Sequence, residues 1–138
     1  MILVFASLVN SVATINQQTI AYTIYTEARG ETNLGMCYVA SVIYNRSQER
    51  NMKAWDVCTQ NKQFASWDVQ RPGIPVIKND IDRANWKFCL LLSNDIIKGK
   101  FKPFCTSNHF YNPSYASPSW GLELYSDFIY VNHRFGRL

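Results

Sequence analysis

Between residues 32 and 47 the chain carries apolar side chains on nearly every side of a helical wheel. Met36, Cys37, Val39, Ala40, Val42, Ile43 and Tyr44 leave no polar stripe wide enough to face water. A helix of that kind is central, so the remaining elements must be arranged around it. Thr32 or Asn33 caps its start. Asn45 and Arg46 near its end are placed to hydrogen-bond a neighbouring loop, although a plain helix-terminus role is the simpler reading of Arg46. Asn45-Arg46-Ser47 also spells a glycosylation triplet, which a helical setting makes a false positive.

Immediately upstream, Ile20, Ala21, Ile24, Tyr25 and Ala28 are spaced as one face of another helix. It runs into Tyr25-Thr26-Glu27-Ala28-Arg29-Gly30-Glu31, and nothing before Glu27 is charged. Gly30 is the natural stop, because glycine accepts the left-handed conformation that closes a helix. A carboxylate at a helix C-terminus meets the negative end of the macrodipole, and neighbours such as Tyr22 and Ile24 desolvate it. Both effects favour a protonated Glu27, the state an acid needs to protonate a glycosidic leaving oxygen. The competing structural reading is a surface salt-bridge cluster of Glu27, Arg29 and Glu31.

Residues 79–98 form the clearest helix. Asn79 caps it, Asp80 and Asp82 occupy the first turn, Gly99 ends it, and Ile81, Ala84, Phe88, Leu91, Leu92 and Ile96 are its expected apolar stripe. Residues 48–78 break into loops around a short helical piece at 54–58, with turn signals at Asn61-Lys62 and Arg71-Pro72-Gly73. Within them Gln63, Phe64, Ser66 and Trp67 combine an amide, a hydroxyl and aromatics, as a sugar site requires; core packing of Phe64 and Trp67 is the rival. A polar, aromatic loop follows from Cys105 through His109, Phe110, Tyr111, Asn112 and Pro113 to Trp120, either functional or a fold clamp. Residues 125–135 alternate as one strand returning to the core.

The 138 residues, without repeat or linker, suit one domain. We divide them into an apolar N-terminal segment, 1–16, packed on the domain or a partner, and a catalytic domain, 17–138. The run at 2–9 is too short to span a bilayer and lacks the basic start of a signal peptide. A net charge of +4, spread without a dense basic run, argues against nucleic acid as partner. Cys37, Cys58, Cys89 and Cys105 lack the close pairs of metal or redox sites. Cys37 and Cys89 read as buried thiols, whereas Cys58 and Cys105 lie near turns and could be bridged. No cofactor or metal is expected, and two histidines, His109 and His133, make no metal signature.

The motif Tyr25-x-Glu27-Ala28-Arg29-Gly30-Glu31, followed by Gly35 and Val39-Ala40-x-Val42-Ile43-x-Asn45-Arg46, resembles the SleB-type cell wall hydrolases, the family of spore-cortex-lytic enzymes and related bacterial and phage lysins. Val57-Cys58, Gln63-Phe64, His109-Phe110-Tyr111-Asn112-Pro113, Pro118-x-Trp120 and Asn132-His133-x-Phe135 agree in order, so the likeness spans roughly residues 20–135. It departs at Ala65, where a serine usually follows Gln-Phe, and at Ser107-Asn108, where smaller residues are common; Ser66 can substitute by a one-residue shift. The resemblance implies an α+β, mostly helical, lysozyme-like single domain with a small strand region. It implies cleavage of peptidoglycan glycan strands, outside the cytoplasm, with Glu27 as catalytic acid and base. Gln63, Phe64, Ser66, His109, Tyr111, Asn112 and Trp120 are then substrate-binding candidates, His109 more a hydrogen-bond clamp than a base. Arg29 and Glu31 are assisting or structural, and His133 structural. The leading expectation is a lytic transglycosylase, with a hydrolysing muramidase and a non-catalytic glycan-binding component as rivals.

Overall fold

The structure, a computed structural model, describes residues 14–60, 64 and 75–138. The N-terminal apolar run at 2–9, Gln63, Ser66, Trp67 and the turn signals at 61–62 and 71–73 lie outside the described residues. Among the described residues, four helices and a three-stranded sheet follow in chain order: α1 (Ile15–Glu27), α2 (Asn33–Glu49), α3 (Ala54–Thr59), α4 (Asp80–Ile97), β1 (His109–Tyr111), β2 (Tyr125–Tyr130) and β3 (His133–Arg137). This is the α+β, mostly helical domain expected.

Helix α2 is the centre. Met36, Cys37, Val39, Ala40, Val42 and Ile43 are all buried, with α1, α3 and α4 on one side and the sheet on the other. Its sheet-facing side carries a polar row that the apolar count obscured. Ser41 Oγ accepts from the Phe104 amide at 2.8 Å, and Asn45 Nδ2 donates to the carbonyls of Cys105 and Ser107, each at 2.9 Å. Arg46 Nε donates to the Asn108 carbonyl at 2.6 Å. These side chains satisfy the backbone of a segment that no regular structure pairs, as buried polar groups require.

Helix α1 lies antiparallel to α4: Gln17 Nε2 donates to the Leu90 carbonyl near one end, and Tyr25 meets Trp86 edge-on near the other. Asn79 caps α4 as predicted, its side chain accepting from the Asp82 amide at 2.8 Å. The stripe differs. Ile81 and Leu91 are 72% and 65% exposed, and the buried positions are Cys89, Leu92, Ser93 and Ile96. The seam is rotated because Trp86 abuts Tyr25 and Cys89 Sγ sits 3.7 Å from Met36 Sδ, so small and aromatic groups choose the facing side.

The expected single C-terminal strand is a hairpin. The chain turns at Val131 and Asn132, with Val131 at φ +52°, and β3 becomes the central strand of an antiparallel sheet ordered β1-β3-β2. Continuous alternation across a two-residue turn hid the reversal. The predicted loop at 109–111 is the edge strand β1. Asp127 falls at a bulge between Ser126 and Phe128, which directs its carboxylate to the Ser107 hydroxyl. Phe128 stacks on Phe135 at 4.9 Å, and Tyr38 of α2 packs on both. All four cysteines are free, and Cys58 is fully buried on α3, so the Cys58–Cys105 bridge considered from sequence is not formed.

Candidate active site

Glu27 is the last residue of α1 and is half-buried. The helix stops where the sequence indicated: the Ala28 amide bonds the Ile24 carbonyl, Glu31 N donates to the Ala28 carbonyl at 3.0 Å, and Gly30 takes φ +81°. That left-handed turn separates Glu27 from Glu31. Arg29 is exposed. Glu31 instead folds inward, its side chain 1% exposed, and His133 Nδ1 hydrogen-bonds its Oε1. Its Oε2 is buried with no hydrogen-bond partner among the described residues. Gly35 is required there, since a Cβ at that position would stand 2.5 Å from Oε2. The surface cluster of Glu27, Arg29 and Glu31 is therefore not what the molecule contains. His133 thus bridges β3 to Glu31, with Phe110 against its ring edge at 5.4 Å.

Near Glu27, α1, α2 and α3 converge. Thr23, one turn before Glu27, hydrogen-bonds Cys58, and the Cys58 thiol, pushed up to about 12 by burial, feels the charges of both Arg46 and Glu27. Arg46 is 4% exposed. Its guanidinium lies over Phe64 at 5.1 Å, and Phe64 in turn packs on Phe110. Burial is the main cause lowering its pKa to about 10; neighbouring Arg50 adds to this, while Cys58, Glu27 and Glu49 oppose it. Arg46 Nη1 is buried with no hydrogen-bond partner among the described residues. The helix-terminus role expected for Arg46 is thus replaced by an interior one, because its side chain turns under the loop before β1.

His109 is the first residue of β1 and is half-buried. Burial, then the charges of Arg46 and Arg50, lower its pKa to about 4, so the ring is neutral near pH 7. Its Nδ1 is 3.0 Å from Asn108 Oδ1, which also accepts from the Leu138 amide, while Asn108 Nδ2 donates to Glu49 Oε2. That network fixes Oδ1 as acceptor, places the imidazole proton on Nδ1 and leaves Nε2 as an acceptor. Trp120 meets His109 at 5.0 Å and Tyr111 at 5.5 Å, both edge-on. The Tyr111 hydroxyl accepts from Arg134 Nη1 at 2.9 Å, and Asn112 Oδ1 accepts from the Ser114 amide. His109, Tyr111 and Trp120 are therefore brought together, Phe64 stands beside Arg46, and Asn112 builds the turn after β1. Arg46 was read from sequence as a candidate donor to a neighbouring loop beside its helix-terminus reading, and the bond to the Asn108 carbonyl fits the former; Arg134 was not singled out. Their signal lay in position, one at a helix end and one inside a strand.

A cavity of about 340 Å³ lined by Tyr44, Gln48, Asn51, Trp55 and Ile97 does not include Glu27. The chemistry is therefore assigned from the groups around Glu27 rather than from the depth of a cleft. Among the described residues no trio of His, Cys, Asp or Glu is grouped to hold a metal, and no helix is long and apolar enough to cross a membrane.

The profile of the Cell Wall Hydrolase family matches residues 30–135. The chain belongs to the cell wall hydrolase family. It is an enzyme of peptidoglycan degradation with a lysozyme-like fold. Among solved structures it is similar to the catalytic domain of the germination-specific lytic transglycosylase SleB from Bacillus anthracis. The identity is 26%, with 92% of this chain and 98% of that one covered and a TM-score of 0.66. The catalytic domain of the Bacillus cereus SleB protein is similar at 25% identity, covering 90% and 91%, with a TM-score of 0.65. Comparison with curated protein sequences found no match.

Proposed function

We propose that this cell wall hydrolase cleaves the glycan strand between N-acetylmuramic acid and N-acetylglucosamine as a lytic transglycosylase, with Glu27 as its acid and base. The observation that carries the reading is the fate of Glu31. A hydrolase of the two-carboxylate kind needs a second acidic group facing the sugar, and the nearest candidate in the motif is buried, bonded to His133 and backed by Gly35. Of the distant aspartates that a hydrolysing muramidase would draw on, Asp56 is exposed on α3 and Asp68 lies outside the described residues. A transglycosylase needs one carboxylate. Glu27 gives its proton to the glycosidic oxygen as the bond to C1 breaks, the substrate's acetamido group supports the cationic centre, and the ionised Glu27 then takes the proton of the muramic acid 6-hydroxyl as that oxygen closes on C1. The name of the Bacillus anthracis neighbour supports the same choice.

Gln63, Ser66, His109, Tyr111, Asn112 and Trp120 remain the proposed sugar-binding set, whereas Phe64, 2% exposed between Arg46 and Phe110, takes the core-packing role that was its rival reading. Within it the free Nε2 of His109 accepts a sugar hydroxyl, and the edge of Trp120 flanks the ring. The apolar segment at 1–16 remains a proposed packing element for the domain or a protein partner. Glu27→Gln should abolish release of soluble muropeptides from purified sacculi while leaving circular dichroism and thermal unfolding intact. Products of the unaltered enzyme should end in anhydro-muramic residues, one water lighter than reducing ends by mass spectrometry. Reducing ends alone would establish hydrolysis instead, and binding to sacculi without release would establish a non-catalytic protein.

A further inference from the structure

The tautomer of His109 hangs on one side chain, and that side chain is held from several directions. The Asn108 amide donates to the Gly136 carbonyl at 3.0 Å and its carbonyl accepts from Arg46 Nε at 2.6 Å, so the backbone is fixed between β3 and α2. Asn108 Nδ2 donates to Glu49 Oε2 at 2.9 Å, and Oδ1 accepts from the Leu138 amide at 3.1 Å. Glu49 is itself held, because Arg137 Nη2 donates to its other oxygen at 2.7 Å. A flipped Asn108 amide would set Oδ1 against a carboxylate and Nδ2 against an N–H, and both bonds would be lost. The second partner of Oδ1 is His109 Nδ1, at 3.0 Å. We propose that Asn108, oriented by Glu49 and Arg137, is a positioning residue for sugar recognition: it keeps the imidazole proton of His109 on Nδ1, so that Nε2 meets the glycan as the acceptor of a sugar hydroxyl.

The inference rests on the proposed contact of His109 with the sugar and supplies the reason that contact has a direction. Which nitrogen of a neutral imidazole carries the proton is set by the bond the other nitrogen makes. With the proton on Nδ1, a hydroxyl pointing at the ring finds a lone pair. With the proton on Nε2, two hydrogens would face each other until the hydroxyl turned and gave up a bond elsewhere. Burial, then the charges of Arg46 and Arg50, keep the ring neutral at pH 7, so the choice between the two tautomers is a real one there. Trp120 stands edge-on to the ring at 5.0 Å. The bonds of Asn108 to Glu49, Leu138 and Gly136 do not involve the imidazole proton, which makes its position separable from the fold.

The experiment reads the nitrogen NMR shifts of the His109 ring at pH 7, where protonated and bare nitrogens are well separated, together with KM and kcat on soluble glycan strands. It compares the unaltered protein with Asn108→Asp and Asn108→Ala. The unaltered protein should show Nδ1 protonated and Nε2 bare. Asn108→Asp keeps an acceptor beside Nδ1 but turns a second carboxylate toward Glu49, so it should unfold more easily while keeping both the tautomer and KM. Asn108→Ala should move the proton to Nε2 in a large share of molecules and raise KM about two- to tenfold with kcat little changed. That rise should vanish in a His109→Ala background, because the residue acts through the imidazole. A bare Nδ1 in the unaltered protein would overturn the proposal even if Asn108→Ala failed to fold. So would a rise in KM of equal size with and without His109, the mark of a residue that only supports the fold. Glycan strands added to Glu27→Gln should shift Nε2 and leave Nδ1 nearly still. An unmoved Nε2 beside a protonated Nδ1 would remove the sugar contact on which the inference rests, a failure distinct from that of the tautomer.

Discussion

His109 shows how far surroundings alone can set a residue's chemistry. Its pKa, lowered to about 4 chiefly by burial, lies below the roughly 6.5 of a histidine in an unfolded chain. Between those values the unfolded state binds more protons, so stability rises with pH across that window and is lost as pH falls through it. His109→Gln should therefore flatten the decline of the urea midpoint between pH 6.5 and 4, and an equally steep decline in the variant would count against this. The lowered carboxyl of Glu49 acts in the same direction. Burial opposes that lowering, and hydrogen bonds from Asn108 and Arg137 produce it; it is common to both proteins and cancels in the comparison. Gly35 offers a second test. An added methyl meets Glu31 Oε2 and Cβ, at 2.5 and 2.9 Å, and Glu31 cannot yield while His133 holds it. Gly35→Ala should cost about 1–3 kcal/mol by urea unfolding, whereas a neutral result would mean that Glu31 has room to move.

Among the elements, β3 carries most of the connections on the sheet side. It pairs with both edge strands, and the Gly136 carbonyl accepts from the Asn108 amide. A Cβ on Gly136 would stand 2.4 Å from the Tyr125 carbonyl oxygen, a backbone atom with little freedom. Gly136→Ala should thus be costlier than Gly35→Ala, toward or beyond ~3 kcal/mol, and should expose the hairpin to proteolysis first. An uncleaved hairpin at unchanged stability would contradict this. The helices were legible in sequence to within a residue or two, because the side-chain cap of Asn79 and glycines at 30 and 99 coincide with changes of periodicity; Thr32 holds the N-cap position of α2 without a side-chain cap, its hydroxyl bonding Tyr130 instead. The hairpin was not, since Tyr125 to Phe135 alternate through a turn whose left-handed residue is a valine, the opposite of what turn chemistry favours. Glu27, His109 and Trp120 could be nominated from their types and motif. Arg46 was legible only as a loop-supporting hydrogen-bond donor, the alternative to its helix-terminus reading; that its side chain is buried beneath the loop before β1 shows only in three dimensions. Ser107 and Asn108, where the chain departs from the family pattern, each carry hydrogen bonds that anchor that loop, the first to Asp127 and the second to Glu49 and His109.

Taken as a whole, the molecule is held by packing around α2 and by side chains that tie the loop before β1, with no covalent crosslink among its four cysteines. Burial pushes the thiols of Cys58 and Cys89 up to about 12 and raises those of Cys37 and Cys105 as well. Thiolates are the reactive form, so the native protein should resist alkylation at Cys58 and Cys89, and reductant should leave its melting temperature unchanged. A fall in melting temperature on reduction would reveal a disulfide. The tie between Glu31 and His133 also bears on biosynthesis. The two partners are 102 positions apart, and at about 5–20 residues per second a ribosome takes roughly 5–20 s to travel between them. Throughout that interval the nascent chain has its 25–31 motif but no partner for Glu31, so the loop beside Glu27 is completed only after nearly all of the domain has been translated.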